Sequence, residues 1–305
     1  MAETQNSTKP QQKLAVGKTI QARYSGLGFS GVGMVSPPGR LFGLIVGMPG
    51  AGKSCFLQSH PNAFIINSDL SSTTNPNPKA IMWPAMGPEG IPIEPLSSGF
   101  QNCALTWKGV LEKKAQLLRM SEQNQERPET IVVDSLGSAI GLVRKHVTEK
   151  AGKQEWKELD GRRAWDDVYE ELVRFAVDLR SAGYGFYYVC HLVNAKIPLG
   201  DDRYTIRPEL TITDSFYKRL FPLFELVAAF ESEYGTETTM VARKNPDGSP
   251  GPKRPVKTKY KKHCMTVNDE SLLGITKCRV MLPDKIELPQ EGAWSIFEDI
   301  YKSAK

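Results

Sequence analysis

No run of eighteen apolar residues occurs in the 305-residue chain, so no segment of it suits a membrane-spanning helix. Cysteine is scarce. The five cysteines (Cys55, Cys103, Cys190, Cys264, Cys278) are odd in number and form no Cys-x-x-Cys pair. That argues against a disulfide framework or a zinc site and suits a reducing compartment. The opening residues, MAETQNSTKPQQK, lack the apolar stretch of a secretory signal. With 40% hydrophobic and 24% charged residues, the composition excludes collagen-like, coiled-coil and wholly disordered chains. The length allows one large domain or two small ones with a real core.

The net charge of +5 is unevenly spread. Arg243 to His263 holds eight Lys or Arg against one Asp, a local +7, so the remainder sums to −2. The basicity belongs to one segment, which reads either as a contact surface for a polyanion or as a solvated face.

Along the chain, residues 1–40 read as a polar tail followed by a Gly/Pro/Ser-rich loop. Short apolar runs at LFGLIV (41–46), AFIIN (63–67), TIVVD (130–134), GFYYVC (185–190) and LVAAF (226–230) predict buried strands. Helical spacing is expected from Gly52 to before Pro61 and over 103–121. It is clearest from Asp160 to Ser181, where Trp165, Val168, Leu172, Phe175 and Leu179 recur at threes and fours, with Gly183 as its stop. Shorter helices are expected at 214–221 and 294–303. Residues 71–99 and 194–214 read as long polar loops, 140–160 as polar and mixed, and the Pro/Lys-rich stretch 245–255 as a mobile loop before KTKYKK. Strands alternating with helices imply an α/β fold, a mostly parallel sheet covered on both faces.

GMPGAGKS (47–54) fits G-x4-G-K-[ST], after a predicted strand and before a predicted helix. Glycines at 47, 50 and 52 allow the backbone to curl into a nest of N–H groups for phosphate oxygens, and the helix N-terminus adds partial positive charge. The expected nucleotide contacts are Gly47, Met48, Pro49, Gly50, Ala51, Gly52, Lys53, Ser54 and Cys55. Within them Lys53 reaches the β- and γ-phosphates and Ser54 ligates Mg²⁺. By chance alone the motif occurs in roughly 1–2% of chains this long. Asp134, ending TIVVD, can hold Mg²⁺ opposite Ser54. Two branches then remain: one in which the strands bearing the two motifs are neighbours, and one in which a third strand with a polar end lies between them. FYYVCH (186–191) offers that third strand, and His191 stands either at the γ-phosphate or as a strand cap.

LIVGMPGAGKS, AFIINSD, TIVVDSLGSAI, a long helix, YYVCH and DSFYKRLFPLFELVAAFE together resemble the RecA-like phosphate-loop ATPases, most closely the phage-type ATPases of single-strand annealing and recombination. The resemblance covers residues 40–235. It implies a RecA-like core over 41–235 that a basic, β-rich extension (236–305) completes, with ATP and Mg²⁺ as ligands. It also implies hydrolysis stimulated by single-stranded DNA, a ring or filament of copies, a single-strand binding protein as a further partner, no membrane, and a cytoplasmic location (the bacterial host's cytoplasm for a phage protein). In that family a carboxylate after the second strand activates water. Asp69 matches it, where Glu is common, and otherwise reads as a turn residue. Lys277 and Arg279, two apart on an expected strand, resemble the basic pair such proteins insert across a subunit interface, or form a solvated pair. The loop after the sensor strand faces DNA in these assemblies and here carries Lys196, Arg203 and Arg207. On the basic segment, Lys253 and Arg254 precede Lys257, Lys259 and Lys261, which share one face if extended. A small-molecule or nucleotide kinase, with 71–99 as its lid, and a nucleotide-gated partner-binding module are the alternatives.

Overall fold

Strand β1 (Phe42–Gly47) is buried at every residue, as a strand covered on both faces requires. Helix α1 (Lys53–Gln58), β2 (Ala63–Asn67), β3 (Ile81–Trp83) and the short pair β4 (Phe100–Gln101) and β5 (Ala104–Leu105) follow it. Next come α2 (Trp107–Glu122), β6 (Thr130–Asp134), α3 (Leu136–Lys150) and α4 (Gly161–Ser181). Two long strands, β7 (Gly185–Gly200) and β8 (Arg203–Leu210), lead through α5 (Asp214–Leu220) to two more, β9 (Leu226–Lys244) and β10 (Pro250–Thr266). Strands β11 (Lys277–Cys278) and β12 (Lys285–Leu288) and helix α6 (Ala293–Ser303) close the chain. The computed structural model describes residues 36–70, 78–85, 100–101, 104–200, 203–244, 250–267, 276–289 and 291–304. Pro37–Lys305 is one compact unit. Residues 1–35 of the expected tail and loop (1–40), and most of the expected loop at 71–99, lie outside the described residues.

The sheet runs β12-β10-β9-β1-β7-β6-β2-β3. From β9 to β3 every neighbouring pair is parallel. Strands β10 and β12 add antiparallel on the β9 edge. Alternation along each strand splits the core in two. Phe42, Leu44 and Val46 of β1 join the cluster under α2, α3, α4 and α5, whereas Ile45 joins the one under α1 and α6. Each large side chain so buried stabilises the fold by about 1.5–3 kcal/mol. Three buried tyrosine hydroxyls find acceptors: Tyr184 donates to Leu117 O, Tyr187 to Pro38 O and Tyr188 to Leu172 O, at 2.6, 2.6 and 2.8 Å.

Several expectations need correction. Residues 194–210 are not a loop: β7 continues to Gly200 and pairs antiparallel with β8. The Pro/Lys-rich stretch is a strand as well, because β10 pairs with β9 from Pro250 onward across one register shift. Trp83, expected in a loop, lies in β3 and is buried. Residues 136–150 form α3, capped by the Ser135 hydroxyl, with Leu136, Ala139 and Val143 buried. The expected strand over 277–282 stops at Cys278. Arg144 lies over the Trp156 and Trp165 rings, at 4.6 and 5.1 Å.

At the edge of the sheet where β1 and β9 begin, Glu225 accepts from Phe42 N at 2.9 Å and pairs with Arg180 at 3.0 Å and Arg279 at 3.3 Å. Arg279 thus ties the C-terminal segment to the start of β9. On the α6 face, Trp294 stacks on His60 at 4.0 Å. Asn62 N donates to His60 Nδ1 (3.1 Å), and the Thr130 hydroxyl donates to Gly39 O, so its oxygen takes the Nε2–H of His60 at 2.9 Å. The ring is therefore neutral, and burial pushes its pKa down from 6.5 to about 4. Between those values the unfolded chain binds the proton more readily, so stability falls as pH falls from about 6.5 towards 4, by about 3 kcal/mol in total. Denaturant unfolding of wild type and His60→Gln across this window checks it: the variant loses that part of the slope, and identical slopes would reject the assignment.

Candidate nucleotide site

The loop 47–54 sits where β1 ends at the edge of the sheet. Two glycines there are required by geometry. A Cβ on Gly47 would come within 2.5 Å of Phe230 O. Gly52, the cap of α1, has φ of +98° and lies under the His263 ring, 2.5 Å from where a Cβ would stand. Gly50 also takes a left-handed φ, +76°.

Lys53 turns back along the loop and donates to Gly47 O (2.8 Å) and Met48 O (2.9 Å). Burial lowers its pKa from 10.5 to about 8, against the opposing pull of Asp134. The Ser54 hydroxyl donates to Asp134 Oδ2 at 2.7 Å, so β1 and β6 deliver the two motifs to one point. Burial raises the Asp134 pKa from 3.8 to about 6; Ser54 and Lys53 lower it and the charge of Asp69 adds to the rise. The carboxyl is still mainly ionised at neutral pH. Ser68 fastens β2 to β6 here, with its N–H on Asp134 O and its hydroxyl on Ser135 O, both 2.7 Å. Cys55 is half-buried within α1.

Strand β7 lies between β1 and β6 and brings His191 level with Gly47. This is the arrangement with an intervening polar strand end, and it excludes the one in which the two motif strands are neighbours. Burial first, and the Lys53 cation second, lower the His191 pKa, so the ring is neutral at neutral pH. Its Nδ1 is buried and has no hydrogen-bond partner among the described residues. Asp69 stands exposed two residues beyond β2, close enough for its charge to act on both Asp134 and His191.

A family comparison decides the class. The model of the AAA domain family matches residues 40–255. The chain belongs to that family. Its AAA domain is a nucleotide-binding ATPase domain with a RecA-like sheet, β7 separating the phosphate-loop strand from the Asp134 strand. Among solved structures, the flagellar accessory protein FlaH from Methanocaldococcus jannaschii is similar over 83% of this chain and 86% of its own, with 9% identity and a TM-score of 0.34. No curated protein matches the chain. No helix among the described residues is long and apolar enough to cross a membrane.

The remaining expected residues fall in three places. Lys196, Arg203 and Arg207 lie on the β7–β8 hairpin, and Lys253, Arg254, Lys257, Lys259 and Lys261 on β10. Lys253 and Lys257 are exposed. Lys277 and Arg279 lie elsewhere: β11 pairs with the first residues of β9, at the opposite end of the sheet from the loop. Lys277 Nζ is 3.5 Å from Phe221 O, and Arg279, past the strand's end, is paired with Glu225. Two loop contacts escape sequence reasoning. Ser232 Oγ donates to Gly50 O at 3.1 Å, and His263 covers Gly52. Both depend on the β9–β10 register, for which no local motif exists.

Because Lys53 titrates near 8 and phosphate favours its charged form, nucleotide affinity should fall by about tenfold between pH 7 and pH 9. Equilibrium binding of ATP to wild type and Lys53→Met checks this. The variant should bind weakly with a flat pH profile; a flat wild-type profile would contradict the assignment.

Proposed function

We propose that the chain is a Mg²⁺-dependent ATPase that works as a homo-oligomer, a ring or filament, on single-stranded DNA in annealing or recombination, beside a single-strand binding protein. One observation carries the reading. Both neighbours of the phosphate-loop strand run on past the sheet edge as β-ribbons, and these bear the basic residues. Beyond His191, β7 continues for nine residues, and beyond Phe230, β9 continues for fourteen. At roughly 3.3 Å per residue the ribbons extend about 30 and 45 Å. Lysines at 257, 259 and 261 alternate on an extended strand and so fall on one face, as non-specific phosphate contacts favour.

The hydrolytic roles follow from position. The loop amides and Lys53 hold the triphosphate. Ser54 and Asp134, a hydroxyl and a carboxylate 2.7 Å apart, form the oxygen donor set that suits Mg²⁺ and would hold it. A divalent cation held there would supply positive charge to offset the negative charge that develops on phosphoryl transfer. Asp69 takes a proton as the water oxygen bonds to the γ-phosphorus and the bond to the β–γ bridging oxygen breaks, leaving ADP and phosphate. The neutral His191 ring hydrogen-bonds the γ-phosphate or the attacking water. Lys277 and Arg279 face away from their own chain's crevice, so a triphosphate they stabilised would belong to a neighbouring copy.

ATP hydrolysis with and without single-stranded DNA, alongside sizing of the complex, tests the reading. The rate should rise with DNA, and the complex should be larger than one chain. Asp69→Asn should keep nucleotide binding and cut turnover about a hundredfold or more. Lys257→Ala should weaken DNA binding and lower the log–log salt slope by about 1. Absence of DNA binding at low salt would remove the nucleic-acid half, and an unchanged Asp69→Asn rate would remove the base.

A further inference from the structure

The two ribbons leave the sheet differently. Strand β7 passes beside the phosphate loop, whereas the β9–β10 pair grips it. Ser232 and His263 are cross-strand partners two residues past Phe230, and Phe230 is level with Gly47. The Ser232 hydroxyl has one proton and gives it to Gly50 O at 3.1 Å. Its oxygen, 3.2 Å from His263 Nδ1, therefore accepts the ring's Nδ1–H. The same ring lies against Gly52. A directed chain thus runs from His263 through Ser232 to the loop carbonyl, with a second contact one turn on.

We propose that His263 and Ser232 are positioning residues that relay nucleotide occupancy of the 47–54 loop to the β9–β10 ribbon. The relay rests on the loop's nucleotide binding, not on the identity of the ribbon's partner. Its mechanical element is the Gly50–Ala51 peptide. That plane is held at both ends: its carbonyl by Ser232, and its N–H by Met48 O at 3.1 Å. The peptide unit is rigid, so turning Ala51 N–H towards a phosphate oxygen swings Gly50 C=O through the same angle. Ser232 either follows or lets go, and His263 shifts with it. Positions 257, 259 and 261 share the face of β10 that carries His263, so any shift at 263 enters the strand that bears the lysine row. The opposite edge of the root is braced. Strand β12 pairs Leu288 with His263, Lys262 reaches Glu287 at 2.5 Å and Glu233 at 3.6 Å, and Lys285 pairs with Glu233. A push from the loop meets that brace and is directed along the ribbon.

Hydrogen exchange of the full chain, with and without a saturating non-hydrolysable ATP analogue, tests the relay. In wild type, nucleotide should change exchange of amides 231–235 and 260–264 several-fold. Ser232→Ala should abolish that response at saturation while the amides of β1 and β7 stay as in wild type. Ser232→Thr, which keeps the hydroxyl, should restore it, and His263→Asn should weaken it. Unchanged exchange at the root in nucleotide-saturated wild type, or a full response in Ser232→Ala, would overturn the proposal. Binding to an oligodeoxythymidine strand, measured on the same samples, separates this outcome from the function above. A wild type that shows the root response but binds no strand keeps the relay and loses the nucleic-acid reading. Where the strand binds, the analogue should alter its affinity in wild type by a factor that falls towards one in Ser232→Ala.

Discussion

Gly47 is level with His191 on one side and with Phe230 on the other, and most of the site follows from that alignment. Neighbouring parallel strands reach the same edge of the sheet together, so the phosphate loop, His191 and the root of the β9–β10 ribbon are brought level by backbone hydrogen bonds. No side chain has to be recruited over a long distance. The cost is that Gly47 cannot carry a side chain, since Phe230 O occupies the place of its Cβ. Phe230 itself packs on Phe56 of α1, so the helix that begins in the loop and the strand that passes it are locked through one aromatic pair, 5.1 Å between centroids.

The buried charges at the crevice also depend on one another. Asp134 is kept ionised against burial by the Ser54 hydroxyl and the Lys53 cation. Lys53, in turn, keeps much of its charge because Asp134 opposes the same burial. Removing either partner would leave a buried charge uncompensated, which costs more than the pair contributes. A bound triphosphate would enter this balance as a further anion, which links the site's protonation to its occupancy. His191 stays neutral because burial first, and the Lys53 cation second, lower its pKa, so the ring has one nitrogen to donate and one to accept.

Legibility in the sequence varied with the physical origin of each feature. GMPGAGKS and TIVVD declare themselves because close backbone approach and a doubly covered strand each restrict composition locally. Strand order was readable too, since FYYVCH carries its polar end in the sequence. The ribbons were not. Pro250, Pro252 and Pro255 and the glycines near them predict a loop, and the tertiary ladder with β9 overrides that preference. Helix α3 was missed because LGSAIGLVRKH has glycines at 137 and 141, weakening the periodic signal, although its Ser135 cap and buried Leu136, Ala139 and Val143 hold it in place. Arg279 was misplaced for a related reason: alternation on a strand assumes the strand continues, and the pairing stops at Cys278.

A row of alternating lysines is ambiguous by itself, because a solvated strand looks the same. The next position of that alternation, His263, is where the row meets the phosphate loop. There the side chain is a buried ring seated against a left-handed glycine of that loop. From 263 outward, strand geometry spaces positions 261, 259 and 257 in steps of roughly 7 Å along β10. The charge segregated in the sequence therefore lies on a strand rooted at the phosphate loop.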